Sequence, residues 1–476
     1  MSNTRKVIIN SFWLILQPIL LNLLSLFVIG YIARELGQAE YGKFVFAFSF
    51  VGIFLPLTNM GLNSLTTRDI SENKTQADVI LGKVLALRLA LALVVYVVIL
   101  LLINVMNYAG DTRTVVYIAA LTLMFNGVAV TLHSAFQGFE KMHFIAYSQF
   151  ISGLVLTAFS VLVIYWGFGV ISLTVVYSLG SLLGLLIALF FCLKFIVIPV
   201  VKVDFAFWKL SLIRGLPFFL PTFVGLIGNR IGIILLSKLA GDASVGIYGA
   251  ANNLVEKLLI IPDGICTAIY PTLAFLYSKS KDEAIELFQK FLFYLFLIGL
   301  PIAVAGTILA KQVILLIYGE TYLSSVIILQ ILIWWLFSTF ITSLLGWTLG
   351  AIHKEKKGAV VPFIVTPGYL VLNLMLIPFF KEMGVAIATL LMSIISAFLF
   401  AIFVRKHLVK EFISFQRVIK VLVSALIMGF FVYILKSFNL GIVVIAGGIS
   451  YFVFLVIFRV IGLDDLEKIK LFLRKT

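Results

Sequence analysis

Charge is scarce in this 476-residue chain: only 12% of its residues are Asp, Glu, Lys or Arg, while 62% are hydrophobic. That balance excludes a water-soluble domain, in which about a quarter of residues carry charge. Cysteine is scarcer still, with Cys192 and Cys266 both inside apolar runs, so no disulfide framework or thiolate metal cluster is available. The four histidines, His133, His143, His353 and His407, have no metal-ligand spacing, and no GxSxG, HExxH or Walker loop occurs. Long polar connections are missing too, none exceeding about 20 residues. No room is left outside the membrane for a catalytic domain, so an enzyme is not expected, and neither is a cofactor or a metal.

Long apolar stretches are what the chain has instead. They recur from end to end, each long enough at about 20 residues to cross about 30 Å of hydrocarbon. Because they are continuously apolar rather than alternating, they read as helices and not as barrel strands. The expectation is an all-α polytopic membrane protein of about 14 transmembrane helices, near 11 to 32, 43 to 63, 83 to 105, 114 to 135, 144 to 166, 170 to 193, 210 to 237, 246 to 276, 288 to 309, 323 to 348, 359 to 380, 384 to 404, 417 to 436 and 440 to 461. The eighth is long enough to protrude or kink. The first lacks an evident small-residue cleavage site and is read as a retained span, not a signal peptide.

Lys and Arg are retained preferentially on the cytoplasmic side. With the amino terminus inside, 26 of the 36 fall in cytoplasmic segments and 7 on the opposite side. Arg88, Arg230 and Lys257 fall within spans. Both termini are therefore expected in the cytoplasm. The net charge of +15 needs no nucleic-acid partner, since topology and anionic lipid headgroups account for most of it.

Internal repeats come next. Gly37-Gln-Ala-Glu-Tyr-Gly42 follows the first span, and Gly241-Asp-Ala-Ser-Val-Gly246 follows the seventh. Gly169-Val170-Ile171-Ser172-Leu173-Thr174 opens the sixth span, and Gly384-Val385-Ala386-Ile387-Ala388-Thr389 opens the twelfth. The offsets are 204 and 215 residues, with six spans between partners each time. That relates the repeats by an axis along the membrane normal. The expected domains are two six-helix lobes in a parallel pseudo-twofold arrangement, 1–205 and 206–410, followed by two additional spans and a cytoplasmic tail over 411–476. Pro18 and Pro221 precede the paired glycine turns by 19 and 20 residues, which suggests that the first helix of each lobe bends at one depth.

Four stretches carry a family likeness: YIARELGQAEYGKFVFAFSF (31 to 50), GLNSLTTRDIS (61 to 71), AFQGFEKMHFIAYSQ (135 to 149) and SKLAGDASVGIYGAANNLVEKLLIIPDGI (237 to 265). With the span count and lobe pattern, they resemble the O-antigen and polysaccharide flippases of the multidrug/oligosaccharidyl-lipid/polysaccharide exporter superfamily. The resemblance implies a V-shaped pair of bundles around a cationic cavity, alternating between inward-facing and outward-facing states. The implied cargo is an oligosaccharide on a polyprenyl pyrophosphate, moved from the cytoplasmic to the outer leaflet of a prokaryotic inner membrane. Other implied partners are membrane lipids, the polysaccharide polymerase and the chain-length machinery. A lipid II flippase and a cation-coupled multidrug exporter of the same superfamily are the alternatives. The second fits less well, because such exporters typically have twelve spans and acidic cavities.

Charges inside spans are expensive and mark candidate sites. Arg230 is either an anchor for the anionic headgroup, through its forked donors, or one half of a structural ion pair. On the eighth span Asn252, Glu256 and Asp263 share one face, and Asn253 and Lys257 form the adjoining stripe. Glu256 either neutralises Arg230 in the empty site, carries a coupling proton, or is simply hydrated. Asp263, in Pro262-Asp263-Gly264, is a hinge or a binding residue. Arg88 either lines the cavity or snorkels to the cytoplasmic face. Arg68 and Asp69 end the second span, where they meet the headgroup at a cytoplasmic gate or merely close a helix. Proton, sodium and the membrane potential are the coupling candidates.

Overall fold

The computed structural model describes residues 3–409, 412 and 414–460, leaving aside the side chains of 3–21, 23, 217, 218 and 221. Among the described residues the regular elements are α-helices and two 3₁₀ turns. Two compact units follow one another along the chain, Met1–Gly249 and Ala250–Thr476. The helices of the first are α1 (Asn3–Ile53), α2 (Leu55–Asn59), α3 (Leu62–Glu72), α4 (Ala77–Val105), α5 (Gly110–Gly138), α6 (His143–Tyr165), α7 (Val170–Phe195), α8 (Phe205–Ala240) and the start of α9 (Asp242–Leu258). The second holds the rest of α9, then α10 (Ile260–Lys279), α11 (Lys281–Ile317), α12 (Ser325–Ala351), α13 (Glu355–Gly358), α14 (Val360–His407), α15 (Phe415–Leu435) and α16 (Leu440–Ile457).

Twelve helical stretches among the described residues are long and apolar enough to cross a membrane. Two of these runs hold a break in the backbone, at Gly37 (φ 72°, ψ 174°) and at Lys381 (φ 46°, ψ −126°). Dividing α1 and α14 there gives the fourteen segments expected from the sequence. In α14 the break is a reversal. Tyr369 Oη lies 3.1 Å from Thr389 Oγ1, whereas twenty residues of straight helix would separate them by about 30 Å.

The second span departs from the unbroken helix expected over 43 to 63. It runs as the end of α1, then α2, then α3, with left-handed backbone at Met60 (φ 41°) and Gly61 (φ 77°). The backbone of α8 approaches closely at this break: a Cβ added at Gly215 would fall 1.8 Å from the carbonyl oxygen of Met60. The long eighth span divides between α9 and α10, at Leu259. Helix then continues through Pro262-Asp263-Gly264, with the Asp263 N–H donating to Leu259 O at 3.2 Å. Proline near a helix start is tolerated there because its missing N–H has no intrahelical partner to lose. The backbone is likewise helical through Pro18 and Pro221, whose side chains lie outside the described ones.

The core of the first unit joins Ile70 of α3, Leu81 and Leu85 of α4, Leu132 and Phe136 of α5, Ile145 of α6, and Ala188 and Cys192 of α7. In a bilayer such packing gains dispersion energy rather than transfer energy, so small residues decide how closely helices approach. Both cysteines are buried free thiols. In the second unit α15 and α16 pack on α11 through Val421, Ala425, Met428, Val443 and Leu455 against Leu300 and Val304. The Tyr451 hydroxyl of α16 donates to Leu297 O of α11 at 2.9 Å.

Candidate functional site

The repeated glycine turns meet inside the first unit. Gly37 and Gly241 share one backbone conformation, with ψ 174° and 173° and φ 72° and 85°. The glycine five residues on from each packs against the other turn. A Cβ on Gly42 would fall 1.8 Å from Asp242 O, and one on Gly246 would fall 2.0 Å from Gln38 O. The two contacts are related by the repeat itself, since Gln38 and Asp242 each follow the matching glycine.

Arg88 lies on α4 and is only 2% exposed, so it does not snorkel to the surface. Its guanidinium donates from Nε to Thr131 Oγ1 at 3.0 Å and from Nη1 to Thr58 O at 2.6 Å. Nη2 donates to Asn59 Oδ1 at 3.3 Å and to Asn63 Oδ1. Thr58, Asn59 and Asn63 flank the break between α2 and α3, where the carbonyl of Thr58 has lost its place in a continuous helix. No carboxylate lies within ion-pairing distance of Arg88 among the described residues. The arrangement is a buried cation held by neutral oxygens.

One turn further along α3, Thr67 Oγ1 donates to Gln137 Oε1 of α5 at 3.2 Å. Asn59, Asn63 and Thr67, spaced by four, thus form a polar seam, the first two bonded to Arg88 of α4 and the third to α5. Asn59, Asn63, Thr131 and Gln137 were not singled out from the sequence. For Asn59 and Asn63 the signal is the spacing of four in an apolar span, and Asn63 stands inside GLNSLTTRDIS. Beyond the seam, Arg68 lies 3.4 Å from Asp69 and 3.8 Å from Glu72, all on the same helix.

Between α7 and α8 the chain is strapped to its own unit. Lys141 Nζ donates to Phe195 O at 2.9 Å, and the Val200 N–H donates to Asp78 O at 3.0 Å. Lys83 Nζ pairs with Asp204 at 2.7 Å, while Asp204 Oδ1 accepts from the Phe207 N–H at 2.9 Å to cap α8. The Lys83 hydrogen bond, and after it the Phe207 N–H, hold the Asp204 carboxyl below the usual carboxylate range. Arg230 sits on α8, partly buried.

In the second unit, Asn252 is 8% exposed and donates from Nδ2 to Glu256 Oε1 at 3.0 Å along α9. Asn253 Oδ1 is buried and has no hydrogen-bond partner among the described residues. Lys257 stands in the last turn of α9 and Asp263 in the first turn of α10. A separate cavity of about 330 Å³ is lined by Leu292 and Phe296 of α11, Ile341 and Leu345 of α12, Ala397, Phe398 and Ala401 of α14, Phe412, and Val418 of α15. Every side chain in that lining is a hydrocarbon. Among the described residues no cluster of His, Cys, Asp or Glu could hold a metal ion.

A family model described as polysaccharide biosynthesis protein matches residues 7–277, more than half the chain. The chain belongs to the polysaccharide biosynthesis protein family. A second model, MatE, matches residues 217–379. The chain is 24% identical over 388 residues, 81% of its own length and 93% of the relative's, to an Escherichia coli (strain K12) protein named "Putative O-antigen transporter". It is 21% identical to a Shigella flexneri protein of the same name, over 83% and 96% of the two chains. Among solved structures it is similar to the lipid II flippase MurJ in an inward closed conformation, with TM-score 0.77 at 18% identity over 95% and 99% of the two chains. It is also similar to an inward-facing multidrug resistance MATE family transporter of the MOP superfamily, with TM-score 0.64 at 16% identity over 82% and 94%. The likenesses to solved structures show the fold, that of a polytopic helical membrane protein, and the family match agrees with the resemblance drawn from the sequence.

Proposed function

We propose that the chain is a flippase that carries a polyprenyl-pyrophosphate-linked oligosaccharide from the cytoplasmic to the outer leaflet by alternating access, without catalysing a covalent step. The observation that carries this reading is the charge of the polar interior. Arg88 is buried among neutral oxygens with no carboxylate among the described residues to neutralise it, a setting suited to an anionic cargo and unsuited to a cationic drug. Support comes from the family match and from relatives whose name speaks of O-antigen transport. Arg230, Lys257, Glu256, Asn252 and Asn253 are assigned to the headgroup and first sugars, with Arg68 and Asp69 at the cytoplasmic entrance and both termini in the cytoplasm. The hydrocarbon-lined cavity against α15 is assigned to the polyprenyl tail.

Energetics favours the direction. Two negative charges moving outward across an inside-negative potential of about 100 mV release about 4 to 5 kcal/mol. The potential alone can therefore bias export, and Glu256 and Asp263 are the carboxylates assigned to any ion coupling. The test is rescue of surface polysaccharide in cells lacking their own flippase, with wild type, Arg230→Lys and Arg230→Ala at matched membrane abundance. Rescue by wild type, partial rescue by Lys and none by Ala is expected. Failure of wild type with a gain in drug resistance would replace this reading with a multidrug exporter, and rescue of a lipid II flippase deficiency with a peptidoglycan precursor flippase.

A further inference from the structure

Asn59 and Asn63 do more than satisfy Arg88. A guanidinium offers donors and no acceptor, so each amide must turn its oxygen toward Arg88. Asn59 Oδ1 is held from a second side by the Asn63 N–H at 3.3 Å. Both NH₂ groups are thereby aimed away from the guanidinium, and both side chains are partly exposed. Neither Nδ2 has an acceptor among the described residues. Two amide donors thus stand four residues apart, each polarised by a buried positive charge that no carboxylate among the described residues cancels. The broken backbone beneath them is fixed by Arg88 through Thr58 O and by the approach of Gly215 to Met60.

We propose that Asn59 and Asn63 form an oxyanion-recognising pair for a phosphate-type group, with Arg88 as the positioning residue that sets both amides and supplies charge from behind. Arg88 itself does not touch the ligand. Such an arrangement stabilises an anion by fixed, preorganised donors in a medium of low dielectric. It leaves the guanidinium, already committed to four acceptors, out of the cycle of binding and release. Identifying the oxyanion with a lipid pyrophosphate rests on the flippase reading; the recognition of phosphate oxygens does not.

The chemistry offers a substitution that separates recognition from structure. Asn63→Asp and Asn59→Asp keep an oxygen on Arg88, and add charge to that bond, while replacing the outward donor with a repelling acceptor. Full-length protein in nanodiscs is titrated with inorganic pyrophosphate, and separately with discs carrying a polyprenyl pyrophosphate, after melting curves confirm the fold. The expected result is that both variants melt at or above the wild-type temperature and bind pyrophosphate at least tenfold more weakly. Loss with both probes assigns the pair to the oxyanion itself, and loss with the lipid probe alone assigns it to a membrane-borne headgroup. Wild-type affinity for both probes in the Asp variants, or no binding of either probe by wild type, overturns the proposal. A wild type that binds pyrophosphate yet restores no surface polysaccharide keeps the oxyanion pair and removes the flippase reading instead.

Discussion

Gly42 lies so close to Asp242 that a Cβ would fall 1.8 Å from its carbonyl oxygen, and Gly246 stands in the same relation to Gln38 at 2.0 Å. The obstacle is backbone in both cases, so no side-chain rotation relieves it. Gly42→Ala and Gly246→Ala should each cost about 1 to 3 kcal/mol through forced displacement of the facing turn. Because the two contacts share one interface, the double variant should lose less than the sum of the singles. Melting of the detergent-solubilised protein checks this. Wild-type melting in either single variant would mean that the turns separate without penalty.

How much of this was legible beforehand differs from element to element. The spans and the Gly37/Gly241 correspondence follow from runs of hydrophobicity and from glycine spacing, both local properties of the chain. The sequence also shows Arg88 as a charge within a span. It does not show the break at Met60 and Gly61, because the Gly215 backbone and the Arg88 donors that fix it arrive from α8 and α4. Asn59 and Asn63 are silent in the sequence for the same reason: a polar pair in an apolar span has no evident role until the guanidinium is placed opposite it.

Asp204 performs two tasks that different substitutions separate. Asp204→Asn keeps an oxygen for the Phe207 N–H and removes the ion pair with Lys83, while Asp204→Ala removes both. The melting temperature at neutral pH should therefore fall in the order wild type, Asn, Ala, by a few degrees in all. The carboxyl is held below its unfolded value of about 3.9. Its contribution is thus complete above that value and is lost as pH falls through the lower, folded one. Between pH 5 and 8 the gap between wild type and Asp204→Asn should stay constant, and below about pH 4 it should close. A gap that changes near neutrality would assign the linkage to another group.

Lys381 holds the reversal of α14 with φ 46° and ψ −126°, a conformation that glycine adopts freely and a side chain does not. Lys381→Gly should raise stability by about 1 kcal/mol, the strain relieved exceeding the added chain entropy. Lys381→Val, β-branched at a positive φ, should lower it by a similar amount. Melting measurements on the three proteins check the order Gly, Lys, Val, and an inverted order would show that the turn is fixed by its flanking contacts, such as Tyr369 to Thr389, rather than by its own backbone.

Arg88 gives the largest expected effect. Arg88→Met retains the unbranched stem but strips donors from Thr58 O, Thr131 Oγ1, Asn59 Oδ1 and Asn63 Oδ1 at once. Orphaned buried acceptors cost about 1 to 3 kcal/mol apiece, so a loss of about 3 kcal/mol or more is expected even if the partly exposed amides turn to water. Lysine keeps the charge, but its compact ammonium has three donors and no fork to span the break, so Arg88→Lys should fall between the two in melting temperature. The order Arg, Lys, Met would show that geometry and charge both contribute. Equal losses for Lys and Met would mean that the fork alone braces the break, and wild-type melting in Arg88→Met would mean that the break between α2 and α3 is held by Gly61 and Gly215 without help from the cation.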